Sequence, residues 1–207
     1  MTTRIMQWLG VAGAIVLSSG ALAAQGSAPQ LSASLKASVD RLADSVRALG
    51  LPTEPLFAKA AEGTLKGADE PRVMVAVRRL ARELSDAKTA LGDGATAAEL
   101  EAGASALHAG VGLDLVARIG RATKERATPG RLVMPLVTLA DMVARNVSSL
   151  AAVASIETLI SRGAADSQFA GLRSDVERDI AAGERPDVAM QRRSASIVKG
   201  LENRPRP

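Results

Sequence analysis

Between Leu132 and Gly163 the chain carries its longest apolar run outside the N-terminus, LVMPLVTLADMVARNVSSLAAVASIETLISRG. Leu132, Leu136, Leu139 and Val143 recur at steps of four, three and four, which aligns them on one face of an α-helix. Asn146 interrupts the pattern, and asparagine tolerates the left-handed backbone in which many helices end. Ser148 and Ser149 then offer hydroxyls to the free N–H groups of a second helix. That helix carries Val153, Ile156, Leu159 and Ile160 and stops at Gly163. Neither half has a wide polar side, so both are expected in the interior.

The same punctuation recurs along the chain. Helical patterns close at Gly67, Gly110 and Gly183, and within four residues each is followed by a residue suited to a helix start: Pro71, Asp114 and Asp187. The terminators Gly67, Gly110, Asn146 and Gly183 are 43, 36 and 37 residues apart. Two helices in each period of about 40 residues is the range of stacked α-helical repeats. The expected fold is therefore all-α, with eight or nine helices and no sheet. They form either stacked helix–turn–helix pairs or an irregular multi-helix bundle, since short loops give both the same spacing.

The remaining helices follow from their stripes. Leu31, Leu35, Val39, Leu42, Val46 and Leu49 form the first, ended by Gly50 and Pro52, and a shorter one starts near Glu54 or Pro55. From Pro71 to Leu91 the apolar positions are Val73, Val77, Leu80, Leu84, Ala87 and Leu91, with Arg78, Arg79 and Arg82 outside them. Gly92-Asp93-Gly94 is too short to separate domains. Further helices are expected over 96–109, 113–124 and 166–182, and a more polar last one over 186–201. Residues 31–202 thus read as a single helical domain, with 203–207 a frayed tail.

Residues 1–23 match a secretory signal: Arg4, an apolar stretch from Ile5 to Leu17, and Ala21-Leu22-Ala23 as a small-x-small cleavage site. Cleavage near Ala23-Ala24, followed by a flexible spacer over 24–30, predicts a periplasmic or secreted protein. The alternative is an uncleaved anchor, because the apolar run extends to Ala24. The formal charge of +4 becomes +3 without Arg4, too small to indicate nucleic-acid binding. Cysteine is absent, which excludes disulfides and thiolate ligands. Beyond Trp8 the only aromatics are Phe57 and Phe169, so sugars, bases or proline-rich peptides find little to stack on. The core must be alanine, leucine and valine.

Candidate chemistry is sparse. His108 is the only histidine, and at a helix end it suits a structural or surface role better than zinc, for which it lacks partners. Ser196-Ile-Val-Lys199 matches the S-x-x-K of serine β-lactamases, but the companion elements are missing, and Ser174-Asp175 leads into Val176. Gly110-Val-Gly112 lacks the third glycine and the strand of a dinucleotide loop. Asn146-Val-Ser148 fits a glycosylation sequon yet sits where a helix cap is needed. Acid pairs could come from Glu99 and Glu101, or from Asp175, Glu177 and Asp179. No catalytic, cofactor-binding or metal-ligating residue is assigned. The expectation is a non-catalytic exported scaffold whose partner is another protein of the cell envelope, without nucleic acid and with at most transient membrane contact. A binder of anionic surfaces through the arginines, or a carboxylate-dependent enzyme, is the alternative.

Overall fold

A computed structural model of the chain describes residues 31–122 and 131–203. The expected secretory signal and spacer, most of the basic loop around Arg126 and the last four residues lie outside the described residues. Within them are nine α-helices and no strand: α1 (Ala33–Ala48), α2 (Glu54–Leu65), α3 (Glu70–Leu91), α4 (Ala97–His108), α5 (Leu113–Ala122), α6 (Val133–Ala144), α7 (Ser149–Ser161), α8 (Asp166–Ala181) and α9 (Pro186–Glu202). Polar caps start several of them. Ser32, Asp69, Thr96 and Ser148 each accept a bond from the backbone N–H three residues on.

The helices are joined by one recurring device. Gly50, Gly67, Gly110, Asn146, Gly163 and Gly183 all have positive φ. At each of these ends the next residue's N–H reaches back to a carbonyl in the last helical turn, as Val147 does to Met142 at 3.0 Å and Ala164 to Leu159 at 2.9 Å. These are Schellman ends, which satisfy carbonyls the helix leaves free. The residue making the long bond is usually apolar and buried: Leu51, Val111, Val147 and Ala164 all belong to the core. In five of the six joints only four residues separate one helix from the next. The last joint differs, having Glu184 and Asp179 in place of the apolar pair. Arg192 reaches both carboxylates, and Arg193 grips Asp179 through two bonds of 2.5 and 2.7 Å.

Asn146 is the one non-glycine residue with positive φ among the described residues, at 65°. Asn146→Gly should raise stability by a few tenths to about 1 kcal/mol, and Asn146→Val should lower it by about 1–2 kcal/mol, because a β-branched side chain crowds its own carbonyl there. Urea titrations of the two variants would measure both; equal stabilities would refute the assignment of strain.

Such short joints force neighbours antiparallel, and the contacts order them into two rows. α1, α3, α5, α7 and α9 pack successively in one row, and α4, α6 and α8 in the other. α2 lies against α1 and α3. No extensive contact joins α1 or α2 to α8 or α9, so this is an open stack of helix–turn–helix pairs. Cross-links along the first row recur one period apart. Ser34 donates to Glu70 at 2.8 Å and Lys88 to the Leu49 carbonyl at 2.8 Å. Arg118 forks onto Glu157, the Ser148 N–H meets Asp187 at 2.7 Å, and Arg162 pairs with Glu202. The sequence separations of these pairs are 36 to 40 residues. In the other row Arg173 pairs with Asp141, and Arg145 with Glu177 at 3.3 Å.

The core divides into two clusters that meet at Leu91 and Leu107. The first is built by α1 to α4 around Val39, Leu56, Val77 and Leu84. The second runs from α4 to α9 and includes Leu136, Leu139, Ile156, Leu159 and Phe169, all buried. The central pair is less enclosed than its composition suggests. Ala154 is exposed and Leu150 is 66% exposed, so α7 has an outer side with Thr158 and Ser161. Alanines occupy much of the remaining interface, and Gly103 and Gly120 let α4 and α5 approach α3: a Cβ on Gly103 would lie 3.1 Å from Leu91.

Candidate functional site

The second row is not continuous. α4 packs on α6 and α6 on α8, but α2 and α4 have at most marginal contact, and α3 floors the space between them. Each of the three helices turns one face to that trough. The floor is Arg72, Val75, Ala76, Arg79, Leu80 and Glu83, spaced at successive turns of α3. The α4 wall is Glu101, Ala104, Ser105 and His108; the α2 wall is Glu54, Ala58, Lys59 and Glu62. The trough has two basins of about 540 and 480 Å³, with Lys59 and Leu80 lining both.

Its floor carries an apolar stretch, and its two ends carry unmatched charges of opposite sign. Leu80 belongs to the apolar stripe of α3 and was expected in the core, yet it is only partly covered, because no helix lies over this stretch. Val75 is 63% exposed. The small side chains of Ala58, Ala104 and Ser105 leave the walls low. At the end shared by the start of α2 and the start of α4, Glu54 and Glu101 are exposed and make no ion pair among the described residues. At the other end stands Arg72, and Arg79 lies between Ala76 and Leu80.

His108 and Glu83 join the α4 wall of the trough to its floor. Glu83 is buried although it neighbours the outward Arg82 in sequence, accepting from Arg79 Nε at 2.8 Å and lying 3.0 Å from His108 Nδ1. His108 therefore does not cap its own helix but bridges α4 to α3. Arg78 and Arg82 do face outward and have no ionic partner among the described residues.

On the α2 wall, Glu62 accepts from Lys66 and from Lys59, the latter at 2.9 Å, and these bonds lower its pKa from 4.5 to about 2. Two other carboxyls are held below their ordinary range: Glu70 by the hydroxyls of Ser32 and Ser34, and Asp179 chiefly by its bond from Arg193. A carboxyl whose folded pKa is depressed stabilises the fold above its unfolded pKa and loses that contribution as pH falls through the folded value. The contribution of these carboxyls to stability should therefore be fully present above about pH 4.5 and, for Glu62, be lost between about 4.5 and 2. Glu62→Gln should flatten part of the decline. Melting temperatures across that range test this, and a decline unchanged by Glu62→Gln would refute it.

The acid pairs considered from sequence are not brought together as free carboxylates. Glu99 is buried and fixed by backbone bonds, while Glu101 faces the trough. Arg193 lies between Asp175 and Asp179, and Glu177 pairs with Arg145. Ser196 and Lys199 are both exposed on α9. The sequon is used as a joint, Asn146 in the left-handed turn and Ser148 as the cap of α7. A second, shallower bay between α5 and α7, lined by Arg118, Arg121 and Thr158, has its Arg118 already engaged by Glu157.

The fold and its trough thus define a two-row stack of α-helical hairpins with an opening on the side of α2 and α4. Neither a known family model, nor a curated protein, nor a solved structure matches the chain.

Proposed function

We propose that this chain is an exported, non-catalytic scaffold that receives a segment of a partner protein in the trough between α2 and α4. The observation that carries the reading is the apolar floor of Val75, Ala76 and Leu80, left open where α4, α6 and α8 close every later position of that row. Stacked helical pairs bind in this manner, with side chains from successive helices lining one concave surface. Export rests on residues 1–23, with the basic start, apolar stretch and Ala21-Leu22-Ala23 site; no helix among the described residues is long and apolar enough to cross a membrane. The enzyme alternative has less support, because the buried acids are occupied by arginines or backbone N–H groups.

A photo-crosslinking amino acid placed at Val75 in the intact cell tests the reading. A discrete adduct from Val75 is expected, and none from Ser196 on the far end of the stack. No adduct at Val75, or the same adducts from both positions, would overturn it. A second reading, attraction to anionic surfaces, is favoured by Arg78 and Arg82, one turn apart and without ionic partners among the described residues. It predicts binding to anionic vesicles that weakens steeply with salt and is lost in the Arg78→Ala/Arg82→Ala variant.

A further inference from the structure

The trough also carries information about what it holds, and this inference rests on the scaffold reading above. We infer that its occupant is an amphipathic segment of a partner protein with three features in order: an acidic residue, an apolar centre and a basic residue. The acidic residue meets Arg72, and the basic residue lies between Glu54 and Glu101.

The argument begins with length. From Arg72 to Glu83 the floor runs eleven residues along α3, which at about 1.5 Å per residue is roughly 16 Å. That accommodates about three turns of helix, or about five residues of extended chain at ~3.3 Å each. The trough is therefore sized for a peptide segment, a length over which one molecule meets both ends at once.

The centre comes next. Val75, Ala76, Leu80 and Ala104 are all apolar, and Val75 and Leu80 remain accessible. Covering such a surface with an apolar side chain removes both from water, the main favourable term in association. The low walls at Ala58 and Ser105 allow a backbone to come close, and no phenylalanine, tyrosine or tryptophan lines the trough, which leaves no stacking platform. An aliphatic centre fits this surface better than a proline-rich or aromatic one.

The ends set direction. Glu54 and Glu101 stand on opposite walls of the same basin, and no cation among the described residues neutralises them. Elsewhere in the trough the carboxylates are matched: Glu62 by Lys59 and Lys66, Glu83 by Arg79 and His108. The unmatched pair is what a single lysine or arginine of the occupant would complete. At the other end Arg72 is exposed, with only a 3.8 Å contact to Asp69, whereas Arg79, two turns further along, is bonded to Glu83. An acidic side chain on Arg72 completes the opposite pairing. Charges of opposite sign about one trough-length apart fix the occupant's orientation more than its affinity.

Selection from a displayed library of random segments of about twelve residues tests this, using the folded chain as bait. Two exposed-site variants serve as controls: Ala58→Trp, which fills the trough, and Val75→Asp, which removes its apolar floor. Thermal melts establish that both still fold. The expected result is a set of segments that bind the parent but neither control, enriched in an acidic and a basic residue on either side of an aliphatic centre. Glu54→Gln/Glu101→Gln should weaken those segments by about tenfold at low salt. Glu101→Lys should shift the selection toward an acid at the formerly basic position. Trough-dependent segments without the charge order would overturn this inference and leave the scaffold reading standing. No trough-dependent segment at all would overturn both.

Discussion

Phe169→Ala is expected to cost about 3–5 kcal/mol of folding free energy, the largest effect of any single substitution in the chain. Phe169 is the bulkiest fully buried side chain, at 2% exposure, in a cluster otherwise made of aliphatic residues and many alanines. Alanines cannot swing into the void, and the neighbouring leucines on α6 and α8 are held in their own contacts, so the cavity should persist. Domains of this size are commonly stable by only 5–15 kcal/mol, so a loss of that size shifts the unfolding midpoint far. The loss should also be uneven. Because the two clusters meet only near Leu91 and Leu107, amides of α6 to α9 should lose hydrogen-exchange protection before those of α1 to α3. A uniform loss of protection would show that the stack unfolds as one unit, and a cost under about 1 kcal/mol would show that the site collapses on itself.

Glu99→Ala should cost about 2–4 kcal/mol, which is unusual for a charged residue. The Glu99 carboxylate is buried at 5% exposure and all its work is done on backbone and hydroxyl donors. One oxygen accepts from the Thr96 N–H and hydroxyl, both at 2.9 Å, and the other from the Leu132 N–H at 3.1 Å. The first set closes a capping box at the start of α4, and the second ties α4 to the chain entering α6. Alanine would leave those N–H groups without acceptors at a buried site. Glu99→Gln, the same shape with one oxygen replaced by an amide, should lose about half as much. Denaturant titration of the three proteins tests this ranking, and equal losses for alanine and glutamine would mean that charge rather than hydrogen bonding holds the junction.

Much of this architecture is legible in the sequence, for a local reason. A residue of positive φ at each helix end and a polar or proline start four residues on are short-range features, so Gly67, Gly110, Asn146, Gly163 and Gly183 mark the joints before any tertiary contact is known. The helix bounds follow to within a residue or two. The trough was not legible, because it depends on which neighbour is missing. Leu80 sits in a stripe that reads as core, and only the separation of α2 from α4 leaves it partly uncovered. One signal was present all the same. α3 carries Val75, Ala76 and Leu80 in addition to the buried Val73, Met74, Val77, Ala81 and Leu84, more apolar surface than one buried face requires. The pairing of Glu83 with His108 was not legible for a related reason: they are 25 residues apart, and side-chain pairing over that distance has no periodic signature.

The four-residue joints leave the hairpins from α6 to α9 no slack. One residue added inside a helix turns everything beyond it by about 100°, and no spare loop at the next joint can absorb the rotation. Leucines would swing out to water, and pairs such as Arg118 with Glu157 would lose register. The family tree of such a molecule should therefore be written in substitutions and in gains or losses of whole hairpins, hardly ever in single-residue insertions.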